Sequence, residues 1–205
     1  MPKQTFYNLP LNKQQILLDA AMKEFSRVPL HEAVISNIIK YAEISRGSFY
    51  QYFENLEDVF FYILDEHVKL HHKRFTLQLQ QNNGDLLETF LNIFQSMLED
   101  FQSEENRIFF RNAFLNMSHK MERAFTDHVH IENFMSERAE LFALINTEKM
   151  TGTSKCELAH VMKIIQAVTF QNLIQSFSLQ LSPEEALKNY QTEIMILKRG
   201  IYRET

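Results

Sequence analysis

Residues 45–53, SRGSFYQYF, hold the side chains of this chain that are best suited to specific recognition chemistry. Ser45 is a typical helix N-cap, because its hydroxyl can accept a hydrogen bond from a free backbone N–H group at the start of a helix. Arg46, Ser48 and Gln51 follow it and carry hydrogen-bond donors and acceptors. At the start of such a helix, Arg46 and Ser48 can reach base edges or nearby phosphates, and the amide of Gln51 can pair with adenine. The pattern therefore predicts a short helix that lies in the major groove.

The other predicted DNA contacts lie beside these residues. We expect the hydroxyl of Tyr50 to bind a phosphate group, and Tyr52 to be able to do the same. Phe49 and Phe53, in contrast, should pack beneath the helix. The full predicted DNA-binding set is Ser36, Lys40, Ser45, Arg46, Gly47, Ser48, Tyr50, Gln51 and Tyr52.

Residues 14–62 resemble the DNA-binding region of the TetR family of transcriptional regulators. The matching residues are Ile16, Leu17, Ala20, Ala21, Phe25, Ile38, Ile39, Ala42, Glu43, Ile44, Ser45, Gly47, Tyr50, Tyr52 and Phe53. The resemblance implies an all-α chain with an N-terminal three-helix helix-turn-helix domain at residues 1–56. A C-terminal helical ligand-binding and dimerisation domain would then occupy residues 57–205. It further implies a homodimeric repressor that binds palindromic double-stranded operator DNA and is released from it by a small, largely apolar effector.

Three residues depart from the family pattern. Glu43 stands where the family usually has glycine, so we expect the turn to form without the positive φ that glycine adopts easily. Val34 stands where a threonine commonly caps the first helix of the motif, which leaves Ser36 or water to satisfy the free N–H groups. Leu56 stands where many members have a lysine that contacts phosphate. Glu43 and Leu56 favour an alternative function, a helical ligand- or protein-binding module with a weakened DNA-binding face.

The net charge of −5 is distributed unevenly. Residues 1–56 hold six basic and five acidic residues, a net charge of +1, whereas the remainder holds 15 basic and 21 acidic residues. Because attraction to phosphate depends on local charge, an acidic remainder is compatible with DNA binding. We expect affinity to depend on dimerisation and on hydroxyl and backbone contacts as much as on charge.

Composition also limits the location of the protein. A stretch of about 18 apolar residues, the length of a membrane-spanning helix, does not occur, and residues 1–15 lack the apolar run of a signal peptide. Cys156 is the only cysteine, which excludes an intrachain disulfide and is typical of a reducing compartment. We therefore expect a cytoplasmic protein that does not interact with membranes.

Four glycines, four prolines and the near absence of period-2 alternation predict an all-helical fold. Asn55 and Asp58 have the spacing of a helix start, and Ser182 to Glu185 form a second strong start signal. Asn82 to Asp85 should form a turn and Asn146 to Cys156 a loop. The predicted helices cover residues 12–27, 35–42, 46–52, 55–81, 86–102, 104–117, 119–145, 157–180 and 183–199.

The first of the last two helices is apolar on nearly all sides, so it must be covered on more than one side. The resemblance to the TetR family implies that the last two helices pair with their copies and form the dimer interface. The alternative is a wide core contact inside a monomer. The predicted interface residues are Val161, Ile165, Val168, Ile174, Phe177, Tyr190, Ile194 and Leu197.

Most of the 18 phenylalanines and nine methionines lie in the C-terminal part. Such residues usually form core, but their number also suits an adaptable apolar pocket. The predicted ligand-pocket residues are Phe90, Phe94, Met97, Phe101, Phe110, Phe114, Met117 and Phe170.

Neither a metal nor a cofactor is expected. His67 and His71 lie one helical turn apart, as metal ligands can, and His72, His128 and His130 lie further along. The sequence places no third ligand near them, so we predict no metal site. Because phosphate-binding glycine loops and nucleophile-elbow motifs are also absent, we expect no enzymatic activity.

Overall fold

The computed structural model describes residues 1–116, 140–150 and 155–201, and the regular elements within these ranges are helices. Two compact units are present, one formed by Met1–Leu70 and Gln102–His130 and the other by His71–Phe101 and Ile131–Thr205. The helices are α1 (Gln4–Tyr7), α2 (Leu11–Arg27), α3 (Ile35–Tyr41), α4 (Arg46–Tyr52), α5 (Leu56–Gln81), α6 (Leu86–Asp100), α7 (Glu104–Leu115), α8 (Lys155–Ser178) and α9 (Pro183–Ile201), with short 3-10 turns at Leu30–Glu32 and Thr147–Lys149.

This element order confirms the predicted all-α fold class, and the ends of helices α2 to α9 lie within about two residues of the predicted ones. Helix α1 was not predicted. The predicted helix at residues 119–145 lies mostly outside the described residues, although residues 140–144 are helical. The predicted domain boundary at residue 56 stays a prediction, because the first unit contains residues 1–56 together with the start of α5 and with α7.

The first unit is built on the apolar face of α2. Leu17, Ala21 and Phe25 on this face are buried, and α2 packs against both α3 and α7. The Phe25 ring lies 5.1 Å from that of Phe60 on α5 and 6.4 Å from that of Phe109 on α7. This aromatic cluster holds α2 in place behind the helix-turn-helix motif.

In the second unit, α6, α8 and α9 pack around two stacked rings. The ring centroids of Phe94 and Tyr190 lie 4.1 Å apart, and both side chains are fully buried. Thr169 donates a hydrogen bond to the carbonyl oxygen of Ile165, so the Tyr190 hydroxyl, 2.7 Å away, donates to Thr169. Burial raises the pKa of the Tyr190 phenol above its ordinary value, which keeps this donor protonated.

Three helices end in the same way. Helices α3, α5 and α8 are followed by Glu43, Asn83 and Gln180, each with a φ of 52° or 53°. The residue after each of them donates its N–H to a carbonyl five positions earlier, at 3.0, 2.8 and 3.1 Å. This is the Schellman motif, which satisfies carbonyl groups that have no partner inside the helix.

The turn before α6 is fixed by a contact with Asn146. Gly84 has a φ of 77°, and a Cβ atom there would lie 2.6 Å from the backbone nitrogen of Asn146. That nitrogen donates a hydrogen bond to the Gly84 carbonyl at 2.9 Å. Asp85 then caps α6 by accepting from the N–H of Glu88 at 3.1 Å. Among the helices that the structure describes, none is long and apolar enough to cross a membrane.

Candidate DNA-binding site

The start of helix α4 is fixed by Ser45. Its backbone is extended, and its hydroxyl oxygen accepts a hydrogen bond from the N–H of Ser48 at 3.0 Å. The hydroxyl groups of Ser45 and Ser48 lie 2.9 Å apart. The predicted N-cap is therefore present and determines where the helix begins.

Two phenylalanines anchor the underside of α4. Phe49 and Phe53 are both fully buried, and their ring centroids lie 5.7 Å apart. The prediction that these two rings pack beneath the helix is confirmed. Their burial leaves the opposite face of α4 pointing away from the core.

The outer face of α4 carries the predicted DNA-contacting side chains. Ser45, Arg46, Gly47 and Gln51 are exposed, as are Ser36 and Lys40 on the preceding helix, Tyr50 is 40% exposed, and Ser48 and Tyr52 are half-buried. The guanidinium carbon of Arg46 lies 5.8 Å from the Tyr50 ring centroid, and an Arg46 nitrogen lies 3.4 Å from the Tyr50 hydroxyl. These two side chains therefore interact with each other on the protein surface.

The turn between α3 and α4 corrects one expectation from the sequence. Glu43 adopts the positive φ that glycine would supply, at 53°, and Ile44 closes the Schellman motif by donating to the Ile39 carbonyl at 3.0 Å. The expectation that the turn forms without a positive φ was wrong. The backbone hydrogen bonds of the motif fix this conformation despite the side chain at position 43.

A buried carboxylate satisfies the start of α3. Glu24 on α2 is fully buried, and it accepts a hydrogen bond from the backbone N–H of Val34 at 2.9 Å. The side-chain amide of Asn37 donates to it at 3.0 Å, and Arg27 donates twice, at 2.9 and 2.7 Å. The N–H of Val34 is thus satisfied by Glu24 and not by Ser36 or water, the partners that the sequence predicts.

The charge of Glu24 is stabilised by these donors. Burial raises the pKa of its carboxyl, but the hydrogen bonds from Arg27, Val34 and Asn37 outweigh burial, and the pKa lies below its ordinary value. Glu24 lies at the position of an apolar residue on the buried face of α2, four residues after Ala20. A charged residue at such a position, followed by a helix that lacks a capping side chain at Val34, was the signal that sequence reasoning missed.

The predicted ligand-pocket residues are divided between the two units. In the second unit, Phe90, Phe94 and Phe101 are buried, and Met97 and Phe170 are half-buried. In the first unit, Phe110 is buried and Phe114 half-buried, while Met117 lies outside the described residues. Several of the rings pack on aromatic neighbours of their own unit, as Phe90 does on Phe75 at 4.9 Å and Phe101 on Phe177 at 5.2 Å. The ligand pocket stays a prediction.

The predicted dimer residues fall into two groups. Ile165, Phe177, Tyr190 and Ile194 are buried within the chain itself and have little or no surface left for a partner. Val161, Val168, Ile174 and Leu197 are half-buried. The most exposed apolar side chains of α8 and α9 are Ile164, Met195 and Ile196, none of which was predicted.

The histidines of α5 contact other groups. The ring of His67 meets that of Phe110 edge-on at 4.9 Å, and Nε2 of His71 lies 3.9 Å from the Asp100 carboxylate. In the ranges 1–116, 140–150 and 155–201, groups of three or more possible metal-binding side chains are absent. His128 and His130 lie outside these ranges.

Comparisons with known proteins place this geometry in a family. Residues 17–63 match the family model described as bacterial regulatory proteins, tetR family. Residues 85–201 match the model described as tetracyclin repressor-like, C-terminal domain. The HTH-type transcriptional repressor NemR of Escherichia coli (strain K12) is 34% identical over 67 residues, which are 33% of this chain and 34% of NemR. That match spans about a third of this curated relative.

Solved structures show the same fold over most of the chain. A putative TetR-family transcriptional regulator from Syntrophomonas wolfei is similar with a TM-score of 0.68 at 19% identity, covering 91% of this chain and 95% of the other. The reduced form of E. coli NemR gives a TM-score of 0.59 at 18% identity, with 89% and 95% covered. Because the C-terminal family model alone matches more than half of the chain, this protein belongs to the TetR family of bacterial transcriptional regulators.

Proposed function

We propose that this protein is a homodimeric repressor that binds a palindromic operator through helix α4 and is released by a small, largely apolar effector. The observation that carries the proposal is the division of α4 into two faces. Phe49 and Phe53 are fully buried beneath it, whereas Arg46, Tyr50 and Gln51 project from the other side. A short helix with this arrangement can enter a major groove without loss of core packing.

Each exposed side chain of α4 has a proposed role. Arg46 and Gln51 have the donor and acceptor geometry that base edges require, so we assign sequence readout to them. The Tyr50 hydroxyl is assigned to a phosphate, where it positions the helix without specifying sequence. Arg46 and Tyr50 contact each other on this face, so the base contact and the phosphate contact are assigned to neighbouring side chains.

The alternative function loses part of its support. Of the two features that favoured a module with a weakened DNA-binding face, Glu43 adopts the backbone conformation that the motif requires. Leu56 still stands where a phosphate-binding lysine is common, and it is half-buried at the start of α5. We therefore expect modest affinity for each protomer and a strong dependence of affinity on dimerisation.

We assign the dimer interface to the outer faces of α8 and α9. Ile164 is 50% exposed and Ile196 is 61% exposed, and a helix pair with an exposed apolar face is suited to packing against its copy. Ile196→Glu should produce monomers without disturbing the protomer, because this side chain contributes little to the core. Leu77→Glu, 59% exposed on α5, is the matched control and should remain dimeric in light scattering.

We assign the effector-binding site to residues 57–205 and DNA binding to residues 1–56. Met97 and Phe170 are the members of the predicted pocket in the second unit that retain exposed surface, so we expect an effector to contact them first. A coupling of about 1–3 kcal/mol between effector and operator is the usual range. By reciprocity, operator DNA must weaken effector binding by the same factor, which titrations with and without operator measure directly.

Selection from a random DNA library tests the proposal. The purified protein captures DNA in repeated rounds, at a salt concentration similar to that of the cytoplasm. We expect a palindromic consensus, bound by two protomers in fluorescence anisotropy. The double variant Arg46→Ala with Gln51→Ala should lose the preference for that consensus, while Leu77→Ala keeps it. If the wild-type protein enriches no DNA sequence, the result supports the alternative function, a helical ligand- or protein-binding module.

A further inference from the structure

A segment that precedes the helix-turn-helix motif contacts the recognition helix directly. Helix α1 (Gln4–Tyr7) packs against α4, although the family match begins only at residue 17. We call residues Lys3–Phe6 the N-terminal brace. They belong to the same compact unit as α4, and nothing in the motif pattern accounts for them.

The brace meets the C-terminal turn of α4, where the last four carbonyl groups of a helix have no partner inside it. The Phe49 carbonyl accepts from the N–H of Phe53 at 2.9 Å, as the helix ends. The Tyr52 carbonyl accepts from the backbone N–H of Lys3 at 2.8 Å. These two bonds leave the carbonyl groups of Tyr50 and Gln51.

Two side chains of the brace satisfy the remaining carbonyl groups. Lys3 Nζ donates to the Tyr50 carbonyl at 2.9 Å, and the Thr5 hydroxyl donates to the Gln51 carbonyl. Three of the last four carbonyl groups of α4 are therefore bound by the brace. The positive charge of Lys3 is also favourable at this end, because the C-terminus of a helix carries partial negative charge.

An aromatic side chain fixes the brace to the core. Phe6 is fully buried, and its ring centroid lies 5.1 Å from that of Phe53 and 5.4 Å from that of Tyr62. The brace thus continues the aromatic layer beneath α4. Its position relative to the recognition helix is determined by packing as well as by hydrogen bonds.

We propose that the N-terminal brace positions the recognition helix for DNA, and this rests on the proposed function of α4. A helix of seven residues is too short to be stable alone and depends on contacts at its ends. Ser45 fixes the first turn of α4, and Lys3 and Thr5 fix the last. Since Tyr50 and Gln51 lie in that last turn, loss of the brace should misplace the side chains assigned to phosphate and base contacts.

Direct contact between Lys3 and DNA is a different role, and it is distinguishable. A lysine that neutralises a phosphate group adds about one unit to the salt dependence of binding. Thr5 carries no charge, so Thr5→Val removes the hydroxyl that donates to the Gln51 carbonyl and leaves the attraction to phosphate unchanged. The brace predicts that Thr5→Val and Lys3→Met both weaken binding and leave the salt dependence unchanged.

The experiment measures α4 and DNA binding separately in the full chain. Hydrogen–deuterium exchange of the peptide that covers residues 46–53 reports the recognition helix, and anisotropy on the selected operator reports affinity. The control is Gln4→Ala. Gln4 lies in the brace, but its side-chain amide donates to Asn8 at 3.5 Å and not to α4. We expect Thr5→Val and Lys3→Met to increase exchange, and to weaken affinity, by about 3- to 10-fold, the effect of one lost hydrogen bond.

Each outcome decides the proposal. Unchanged exchange in both variants overturns it, whatever happens to affinity. Faster exchange with unchanged operator affinity overturns the positioning role, and a reduced salt dependence in Lys3→Met alone assigns Lys3 to phosphate instead. If the wild-type protein binds no DNA, the proposed function fails, and exchange still decides whether the brace holds α4.

Discussion

Residues 1–56, the head to which we assign DNA reading, and the cluster of α6, α8 and α9 stabilise their helices in different ways. Helices α3 and α4 have seven residues each, and both depend on groups that are distant in sequence. Glu24 binds the start of α3, and Lys3 and Thr5 bind the end of α4. Helix α8 has 24 residues and α9 has 19, and hydrogen bonds of Tyr190 with Thr169 and of Asn172 with Glu193 join them between their ends.

The difference follows from helix length. A short helix has a large fraction of unpaired backbone groups at its ends, so the groups that bind those ends determine whether it forms. A long amphipathic helix gains most of its stability from packing. Substitutions at helix ends should therefore affect the head most, and cavities should affect the α6–α8–α9 cluster most.

The largest expected effect is a cavity in the cluster. Phe94→Ala removes a fully buried ring that stacks on Tyr190 at 4.1 Å, and we expect the free energy of unfolding to fall by about 3–5 kcal/mol. Urea denaturation measures this change. The control Leu77→Ala, on an exposed part of α5 in the same unit, should change stability by less than about 0.5 kcal/mol.

The head should respond to acid through Glu24. Its pKa is lower in the folded protein than its ordinary value, so its contribution is complete above the ordinary carboxyl pKa of about 4.3 and is lost as the pH falls through the folded pKa. Glu24→Gln should lower the free energy of unfolding at pH 7 by about 1.5–3 kcal/mol, the range for hydrogen bonds to a charged group. The difference between wild type and variant should shrink toward pH 3.

Urea titrations at several pH values between 3 and 7 test this expectation. Glu54→Gln replaces an exposed carboxylate of the same head and should stay within about 0.5 kcal/mol of wild type at pH 7. A constant difference between wild type and Glu24→Gln across the whole range would mean that Glu24 acts through shape and not through charge.

The sequence predicted the parts of this molecule that local patterns determine. Ser45, Phe49 and Phe53 could be assigned because a cap and an apolar spacing lie within nine residues. Glu24 and the brace could not, because the first acts across ten residues on Val34 and the second across 47 on Tyr50. Long-range partners of helix ends leave no periodic signal in the chain.

The same limit applies to the dimer face. Helix α8 is apolar on several sides, and composition does not distinguish the side that faces the core from the side that faces a partner. Ile165 was predicted for the interface but is fully buried in its own chain, whereas its neighbour Ile164 is exposed. Only the packing of α6 and α9 against α8 separates these two adjacent isoleucines.

A smaller effect is expected at Gly47, where a substitution should change operator affinity without weakening the fold of the head. Gly47 is exposed, and a Cβ atom there would meet the Ser45 hydroxyl at an ordinary distance of 3.7 Å. Gly47→Ala should therefore leave the protomer intact, or stabilise α4 by up to about 1 kcal/mol. If DNA approaches this position closely, operator affinity falls by about tenfold, or 1.4 kcal/mol. Anisotropy measures the operator affinity and thermal melting measures the stability of the same sample. If affinity and melting temperature both rise in Gly47→Ala, DNA does not approach Gly47 closely.

The smallest expected effect compares the two regions at one backbone geometry. Glu43 ends α3 in the head and Gln180 ends α8 in the cluster, with φ values of 53° and 52°. A left-handed conformation costs a residue with a side chain about 1–2 kcal/mol, and glycine loses about 0.5–1 kcal/mol through its flexible unfolded state. Glu43→Gly and Gln180→Gly should each raise the free energy of unfolding by about 0.8 kcal/mol, the middle of the range of about 0–1.5 kcal/mol that separates these two costs. Hydrogen exchange of the peptides that contain each helix end then measures the local gain in protection.

Equal protection at both helix ends would mean that backbone strain alone determines the effect. A larger gain at Glu43 is expected, because α3 is seven residues long and depends on its ends, whereas α8 is held along its whole length.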